Sequence, residues 1–205
     1  KEFYESRWFS SSREARGNTV ELAGQVVPFG TDVLFRLRGI TSAVFGVEVC
    51  EDLWVPLSPH EYQAMAGATI LLNLSASNEV IGKAEWRRTI VASESGRCAA
   101  AYCYVSAGTG ESSNDVVFGG HALIAENGVI LSESDRLSPS AQLVISDIDL
   151  DRLTHDRRVT TSLHDVSRQS VAFRIVEADV ADPASDRLWR ALDATRGETA
   201  ELRER

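Results

Sequence analysis

This chain of 205 residues has few cysteines, no long apolar run and no excess of positive charge, and each shortage excludes a class of protein. Three cysteines without a CxxC pair argue against a disulfide scaffold or a zinc cluster, so we expect no metal site and a reducing, cytoplasmic location. No apolar stretch reaches the ~20 residues of a spanning helix, which predicts no membrane partner. A net charge of −9 without a basic stripe predicts no nucleic-acid partner.

What is present is an alternation of apolar runs with helical patterns. Residues 42–49, 69–74 and 99–106 are nearly continuous apolar runs, typical of buried strands. Two predicted helices, at residues 58–67 and 84–98, separate these runs. The inward face predicted for the second helix consists of Trp86, Ile90, Val91 and Cys98. Strands alternating with helices indicate an α/β fold.

Further elements are predicted on both sides of this centre. They are a hairpin of residues 19–27 with 32–37 around residues 28–30, a hairpin of residues 121–125 with 129–132 around Glu126-Asn127-Gly128, a strand at 142–150 and a helix at 151–158. Because hairpins are antiparallel, they predict a mixed sheet instead of a purely parallel one.

Cys50 stands where a buried strand meets a turn. This is where α/β proteins present a nucleophile, because backbone N–H groups at that edge favour a thiolate and stabilise an oxyanion. Position alone leaves a second interpretation open, in which Cys50 is a small buried apolar side chain. Cys98 and Cys103 are interpreted as core residues. The four histidines lack the spacing of a Cys–His dyad, and the glycines form no phosphate-binding loop.

Lysine is the rarest charged residue. Apart from Lys1 the chain contains only Lys83, and all other basic residues are arginines. A thiol activated without histidine needs a carboxylate base and a cation, which makes Lys83 a candidate for the cation. Its position at a helix start also fits an ordinary solvated lysine, and the residues alone leave both interpretations open.

Five motifs follow one another along residues 1–150. They are KEFYESRWF at residues 1–9, VEVCEDLW at 47–54, NLSASN at 73–78, IGKAEWRR at 81–88, and AAYCYVSAGTGESSND at 100–115 followed by the ENG turn. In this order and spacing they resemble the nitrilase-like glutaminase domain of glutamine-dependent NAD synthetases. The resemblance implies a nitrilase-like α-β-β-α sandwich. It also implies hydrolysis of the glutamine side-chain amide by a Cys–Glu–Lys constellation, which supplies ammonia for NAD synthesis.

The resemblance implies roles for six residues of this chain. Cys50 matches the nucleophile, and Glu2 resembles the additional active-site glutamate that follows the family's catalytic lysine. The positions that resemble glutamine contacts are Phe3, Glu51, Ser77 and Lys83. Glu51 would suit the α-ammonium group, and Lys83, where relatives often carry arginine, the α-carboxylate. In this interpretation Lys83 is not the catalytic lysine.

The same resemblance places the general-base glutamate and the catalytic lysine before Lys1, so we expect a domain that is incomplete at its N-terminus and inactive alone. Residues 1–158 are predicted to form the amidase domain, which needs no cofactor, and residues 159–205 an extension or linker. The expected partners are L-glutamine, an ATP- and magnesium-binding synthetase domain of the same protein, and further copies in a homo-oligomer. Two alternatives remain: a stand-alone carbon–nitrogen hydrolase acting on another small amide, and a non-catalytic nitrilase-fold module.

Overall fold

The computed structural model describes residues 9–167 and 172–179. The strands are β1 (Thr19–Leu22), β2 (Gln25–Pro28), β3 (Val33–Leu37), β4 (Val44–Val49), β5 (Ile70–Ser75), β6 (Ala101–Ser106), β7 (Ala122–Glu126), β8 (Val129–Glu133) and β9 (Arg174–Ala178). The α-helices are α1 (Pro59–Met65), α2 (Lys83–Arg97), α3 (Leu150–Val159) and α4 (Thr161–Ser167). None of the helices in these ranges is long and apolar enough to cross a bilayer.

A mixed sheet in the order β8-β7-β6-β5-β4-β3-β9 organises the fold. The central strands β4, β5 and β6 are parallel, and α1 and α2 lie in the crossovers that parallel neighbours require. On one side β7 and β8 continue antiparallel. On the other side β3 pairs antiparallel with β4 and parallel with β9. The α/β class and the mixed sheet predicted from the alternation are confirmed.

The two faces of the central strands differ. On the helix-covered face, Leu71 and Tyr102 are fully buried and pack with Val91 of α2 in the core. On the opposite face Val49, Leu74 and Val105 are 61%, 52% and 51% exposed. One face covered by helices and one open apolar face are what a single sheet contributes to an α-β-β-α sandwich, because the second sheet packs against the apolar face.

The buried strands, both central helices and the hairpin at Glu126-Asn127-Gly128 form where they are predicted. In that hairpin Asn127 and Gly128 have φ values of +47° and +90°. Two consecutive left-handed residues match the right-handed twist of the flanking strands, and Asn-Gly adopts them at low cost. The local turn signal was therefore sufficient at this position.

The hairpin predicted between residues 19–27 and 32–37 is wrong. Instead β1 and β2 pair with each other around Ala23 and Gly24, whose φ values are +50° and +75°. An alanine in the left-handed region is uncommon, so the Ala-Gly pair did not indicate a turn. Strand β3 pairs with β4 and β9. The local sequence pattern around residues 28–30 contains no information about this pairing.

Two other predictions are also wrong. Residues 142–149 form no strand in the described chain, and Leu143 and Ile145 stay exposed because no neighbouring strand reaches them. Trp86 is 58% exposed and does not face inward. The buried position at the start of α2 belongs to Arg87, which heads a buried row with Val91 and Ser95 at four-residue spacing.

The region beyond residue 158 contains α4 and β9, while residues 168–171 and 180–205 lie outside the described residues. Strand β9 extends the sheet along β3, and ion pairs fasten it there. Arg174 Nε lies 2.9 Å from a carboxylate oxygen of Asp32, and Arg36 pairs with Glu177. Part of the predicted extension therefore contributes a strand to the sheet.

Replacing Leu71 by alanine is expected to lower the free energy of unfolding by about 2–5 kcal/mol, because Leu71 is fully buried at the centre of the sheet. The exposed Leu143 is the matched control, and Leu143→Ala is expected to change that free energy by less than ~0.5 kcal/mol. Urea unfolding followed by circular dichroism measures both values. Equal losses for the two variants would contradict the assignment of this core.

Candidate active site

An open cavity of about 550 Å³ lies at the carboxyl ends of the three parallel strands. Its lining residues are Val49, Cys50, Leu74, Ser75, Ala76, Val105, Ser106 and Ala107. Each of β4, β5 and β6 contributes its last residues and the first residue beyond them. Ligand sites of parallel α/β sheets form at this edge, because the loops that follow the strands converge there.

Cys50 begins a 3-10 turn, Cys50–Trp54, directly after β4. Its φ of +50° is left-handed, which costs a non-glycine residue about 1–2 kcal/mol. Two interactions stabilise this turn. The Val49 N–H donates to a carboxylate oxygen of Asp52 at 2.9 Å, and Leu53 is buried in the core. A strained residue that its surroundings hold in place at a cavity wall is typical of a functional site. Cys50 forms no disulfide and is half-buried there.

A buried polar network lies behind this turn, on the helix-covered face. Its centre is Glu48, whose carboxylate accepts hydrogen bonds from His60 Nδ1 at 2.9 Å, from the His60 backbone N–H at 3.2 Å and from Asn73 Nδ2 at 2.9 Å. The Tyr102 hydroxyl also donates to Glu48. The second ring nitrogen of His60 lies 3.3 Å from Glu94 Oε2. The network thus joins β4 to α1, β5, β6 and α2.

Charges in the network shift one another's protonation. Burial alone would lower the pKa of His60, but its hydrogen bonds to Glu48 and Glu94 outweigh burial and raise that pKa to about 9. For Glu48, burial alone would raise the pKa, and the hydrogen bonds from His60, Tyr102 and Asn73 hold it below its ordinary value. At neutral pH the pair is therefore an imidazolium and a carboxylate.

One edge of this network brings together donor atoms of the kinds that bind metals. A nitrogen of His60, an oxygen of Glu94 and the sulfur of Cys98 lie within 4.8 Å of one another. However, His60 already bonds carboxylates through both nitrogens, and Arg97 Nη1 lies 2.8 and 2.9 Å from the two oxygens of Glu94. A metal ion would have to displace both interactions. The geometry favours an ion-pair network, and the absence of a metal site stays a prediction.

Lys83 lies against the turn that carries the cysteine. It is the first residue of α2, its ammonium group donates to the side-chain oxygen of Asn78, and its Nζ lies 5.3 Å from the ring centroid of Trp54. Trp54 ends the 3-10 turn that Cys50 begins. A cation above an indole ring is attracted by the ring's electrons, which restricts the directions that the ammonium group can take.

The second turn of α2 is anchored to the segments that follow β5 and precede β7. Arg87 is fully buried, and its Nη1 lies 2.8 Å from a carboxylate oxygen of Glu79 and 2.9 Å from His121 Nδ1. Burial lowers the pKa of His121, so its neutral ring accepts a hydrogen bond from Arg87. Lys83 and Arg87 are four residues apart and share one face of the helix.

The remaining predicted site residues fall into two groups. Ser77 is buried, and its N–H donates to Ser106 Oγ at 3.3 Å, which places it beside the cavity wall. Glu51 is exposed in the same 3-10 turn as Cys50. Glu2 and Phe3 lie outside the described residues. The structure therefore brings Cys50, Glu51, Ser77 and Lys83 to one edge of the sheet.

The Glu48–His60 pair was not predicted from the sequence. His60 falls in the predicted helix at residues 58–67 and Glu48 in the predicted strand at residues 42–49, and neither received a role. A usable signal was present, because Glu48 occupies an inward position in the alternation of a buried strand. A carboxylate at such a position requires a partner, although the sequence does not tell which of the four histidines supplies it.

The mixed sheet with a cysteine at the carboxyl ends of its parallel strands defines an α/β protein with a thiol-containing cavity. The family description carbon-nitrogen hydrolase matches residues 2–158, and the chain belongs to this family. The resemblance inferred from the five motifs is thereby confirmed at the level of the family, and so is the nitrilase-like fold.

Individual relatives agree with this assignment. The glutamine-dependent NAD(+) synthetase of Mycobacterium tuberculosis is 40% identical over 190 residues, which make up 91% of this chain and 28% of that protein. The protein of the same name from Saccharomyces cerevisiae is 30% identical over 144 residues, or 69% of this chain and 20% of that protein. The chain thus spans about 28% of the length of the mycobacterial relative.

Solved structures show the same fold. A glutamine-dependent NAD(+) synthetase from Cytophaga hutchinsonii superposes with a TM-score of 0.51 at 33% identity, covering 66% of this chain and 21% of that one. A carbon-nitrogen hydrolase from Helicobacter pylori G27 superposes with a TM-score of 0.50 at 20% identity, covering 62% of this chain and 47% of that one. The second similarity concerns the fold alone.

The free energy of unfolding is expected to fall as the pH rises from about 6.5 to 9, because the raised pKa of His60 means that folding stabilises its charged form. The contribution is complete below the ordinary pKa of 6.5 and is lost as the pH passes the folded value, at ~1.4 kcal/mol for each unit of the shift. His60→Asn is expected to remove most of this slope, and the exposed His155→Asn to preserve it. Urea unfolding at pH 6, 7, 8 and 9 measures it; equal slopes in both variants would contradict the assignment.

Proposed function

We propose that this chain belongs to the glutaminase domain of a glutamine-dependent NAD synthetase. In this proposal it hydrolyses the side-chain amide of L-glutamine through a thioester on Cys50 and supplies the ammonia for ATP-dependent NAD synthesis. The observation that carries the proposal is the left-handed Cys50 in the wall of a cavity, with Lys83 above Trp54 of the turn that Cys50 begins. The names of the relatives and the family membership support it.

The proposed chemistry starts with the Cys50 thiolate. Its sulfur attacks the amide carbon of glutamine, and the carbonyl electron pair moves to oxygen in a tetrahedral intermediate. When that pair returns, the C–N bond breaks, and the nitrogen takes up a proton and leaves as ammonia. Water then attacks the thioester, releasing glutamate and regenerating the thiol. Proton transfer falls to the general-base glutamate that the resemblance places before Lys1.

We propose that the site binds glutamine through both charged groups on its α-carbon, the α-ammonium and the α-carboxylate. Lys83 would bind the α-carboxylate, and its contacts with Asn78 and Trp54 support this role because they limit the orientations of the ammonium group. The exposed Glu51 would bind the α-ammonium group. Ser77 would contact the substrate from the loop after β5. Two charged contacts at one end of a substrate select for an amino acid and against a simple amide.

Other parts of the proposal concern the whole protein. Glu2 and Phe3 are assigned to the same site, as an additional active-site glutamate and a substrate contact. ATP and magnesium belong to the synthetase domain, and this domain needs neither. A homo-oligomer and a cytoplasmic location complete the proposal, and the free thiols of Cys50, Cys98 and Cys103 agree with a reducing compartment.

Cys50→Ala is expected to lower glutamine hydrolysis by roughly 10³-fold or more, because no other group replaces the nucleophile. The assay measures ammonia release by the complete protein that its gene encodes. The control is Cys103→Ala, which removes a half-buried thiol from β6 and should leave the rate within about twofold. A diazo-ketone analogue of glutamine should label Cys50 alone. Labelling of another residue, or full activity of Cys50→Ala, would refute the nucleophile assignment.

Lys83→Met is expected to raise the KM for glutamine by roughly 10- to 100-fold, with a smaller change in kcat, because it removes a charged hydrogen bond to the α-carboxylate. Arg88→Met changes a half-exposed cation on the same helix that pairs with Glu133 instead, and should leave KM unchanged. Steady-state kinetics with glutamine measure both values. An unchanged KM in Lys83→Met would favour the alternative of a hydrolase acting on an amide without an α-carboxylate.

A further inference from the structure

The Glu48 side chain, two residues before Cys50 on the buried face, is held by several hydrogen bonds in addition to packing. Glu48 precedes Cys50 by two residues, its side chain is fully buried, and donors from α1, β5 and β6 converge on its carboxylate. The strand end that carries the thiol is therefore attached to three neighbouring elements through one side chain.

A second set of contacts holds the partner of this carboxylate in place. His60 is fully buried between Glu48 and Glu94, and Glu94 is itself bonded to Arg97. Arg97 also pairs with Glu61, which lies one residue after His60 in α1. The imidazole ring is thus fixed at both nitrogens, and it cannot turn away from Glu48 without leaving an unpaired charge in the core.

The network also reaches the wall of the catalytic cavity. Asn73, which donates to Glu48, accepts a hydrogen bond from Ser75 Oγ at 2.6 Å. Ser75 lines the cavity together with Cys50. A displacement of Glu48 would therefore reach two residues of the wall, Cys50 through the backbone and Ser75 through Asn73.

Energetic considerations argue against a purely stabilising role. A buried ion pair gains little net stability over apolar residues of similar size, because both charges lose their hydration. Such a pair fixes the relative positions of its two side chains, since its hydrogen bonds are satisfied in one arrangement only. The left-handed backbone of Cys50 needs this kind of support, because it relaxes unless its neighbours hold it.

We propose that the Glu48–His60 ion pair positions the thiol of Cys50 for attack on the substrate amide, so that Glu48 and His60 are positioning residues of the reaction. This inference rests on the proposed glutaminase function. The pair itself contacts no substrate, and its effect passes through the backbone between Glu48 and Cys50. A misplacement of about 1 Å at a nucleophile lowers the rate by roughly 100-fold without weakening substrate binding.

The test compares Glu48→Gln, His60→Asn and Tyr102→Phe in the complete protein. The first two are expected to lower kcat for glutamine by roughly 10- to 100-fold and to leave KM within about threefold. Tyr102→Phe keeps the ring and removes one hydrogen bond to Glu48, so it should fold normally and show a smaller loss of kcat. Val91→Ala destabilises the same core without touching the network, and His155→Asn removes an exposed histidine; both should keep kcat.

Hydrogen exchange supplies a readout that does not depend on catalysis. The amides of residues 49–54 are expected to exchange about tenfold faster or more in Glu48→Gln and His60→Asn than in Val91→Ala, because only the first two variants release the turn. If the wild-type protein hydrolyses no glutamine, the proposed function fails, and exchange alone then decides the positioning role. Unchanged exchange in these variants, or a kcat that falls only as far as in Val91→Ala, would overturn the inference.

Discussion

The candidate site depends on one strained residue, Cys50, whose left-handed backbone ends a parallel strand at the edge of a cavity. This conformation turns the chain sharply after β4 and leaves the thiol half-buried beside the ends of β5 and β6. It persists only because its surroundings hold it, through the bond from Val49 to Asp52 on one side and the anchored Glu48 on the other. The position of the Cys50 thiol is thus a property of the packed sheet and not of the turn alone.

The two faces of the sheet differ in polarity and in what covers them. The apolar face leaves Val49, Leu74 and Val105 available to a second layer, as the α-β-β-α sandwich requires. The helix-covered face holds charged side chains that are costly to bury and are therefore paired, Glu48 with His60 and Arg87 with Glu79. Glu48 precedes Cys50 by two residues in the chain, and Arg87 follows Lys83 by one helical turn. The polar interior thus supports the places where the chain is proposed to bind and cleave its substrate.

Much of the fold could be predicted from the sequence, because buried parallel strands are continuous apolar runs and Asn127-Gly128 is a strong turn signal. The failures have different causes. Distant pairing decided the place of β3, which lies beside β9, and local patterns contain no information on such pairing. The turn between β1 and β2 was missed because alanine rarely adopts a left-handed backbone, and residues 142–149 have no partner strand in the described part of the chain. Local sequence also left the role of Cys50 undecided between a core cysteine and a nucleophile. The resemblance of the five motifs to a family then favoured the nucleophile. The partner of Glu48, twelve residues along the chain in another element, emerged only in three dimensions.

The proposed function requires that Cys50 carries the glutamyl group during hydrolysis of glutamine. The most direct measurement is peptide mapping by mass spectrometry after the complete protein has been mixed with glutamine and quenched in acid during turnover. We expect a glutamyl thioester on Cys50 that is absent from the reaction of Cys50→Ala. Release of ammonia during turnover with the acyl group on another residue would contradict it.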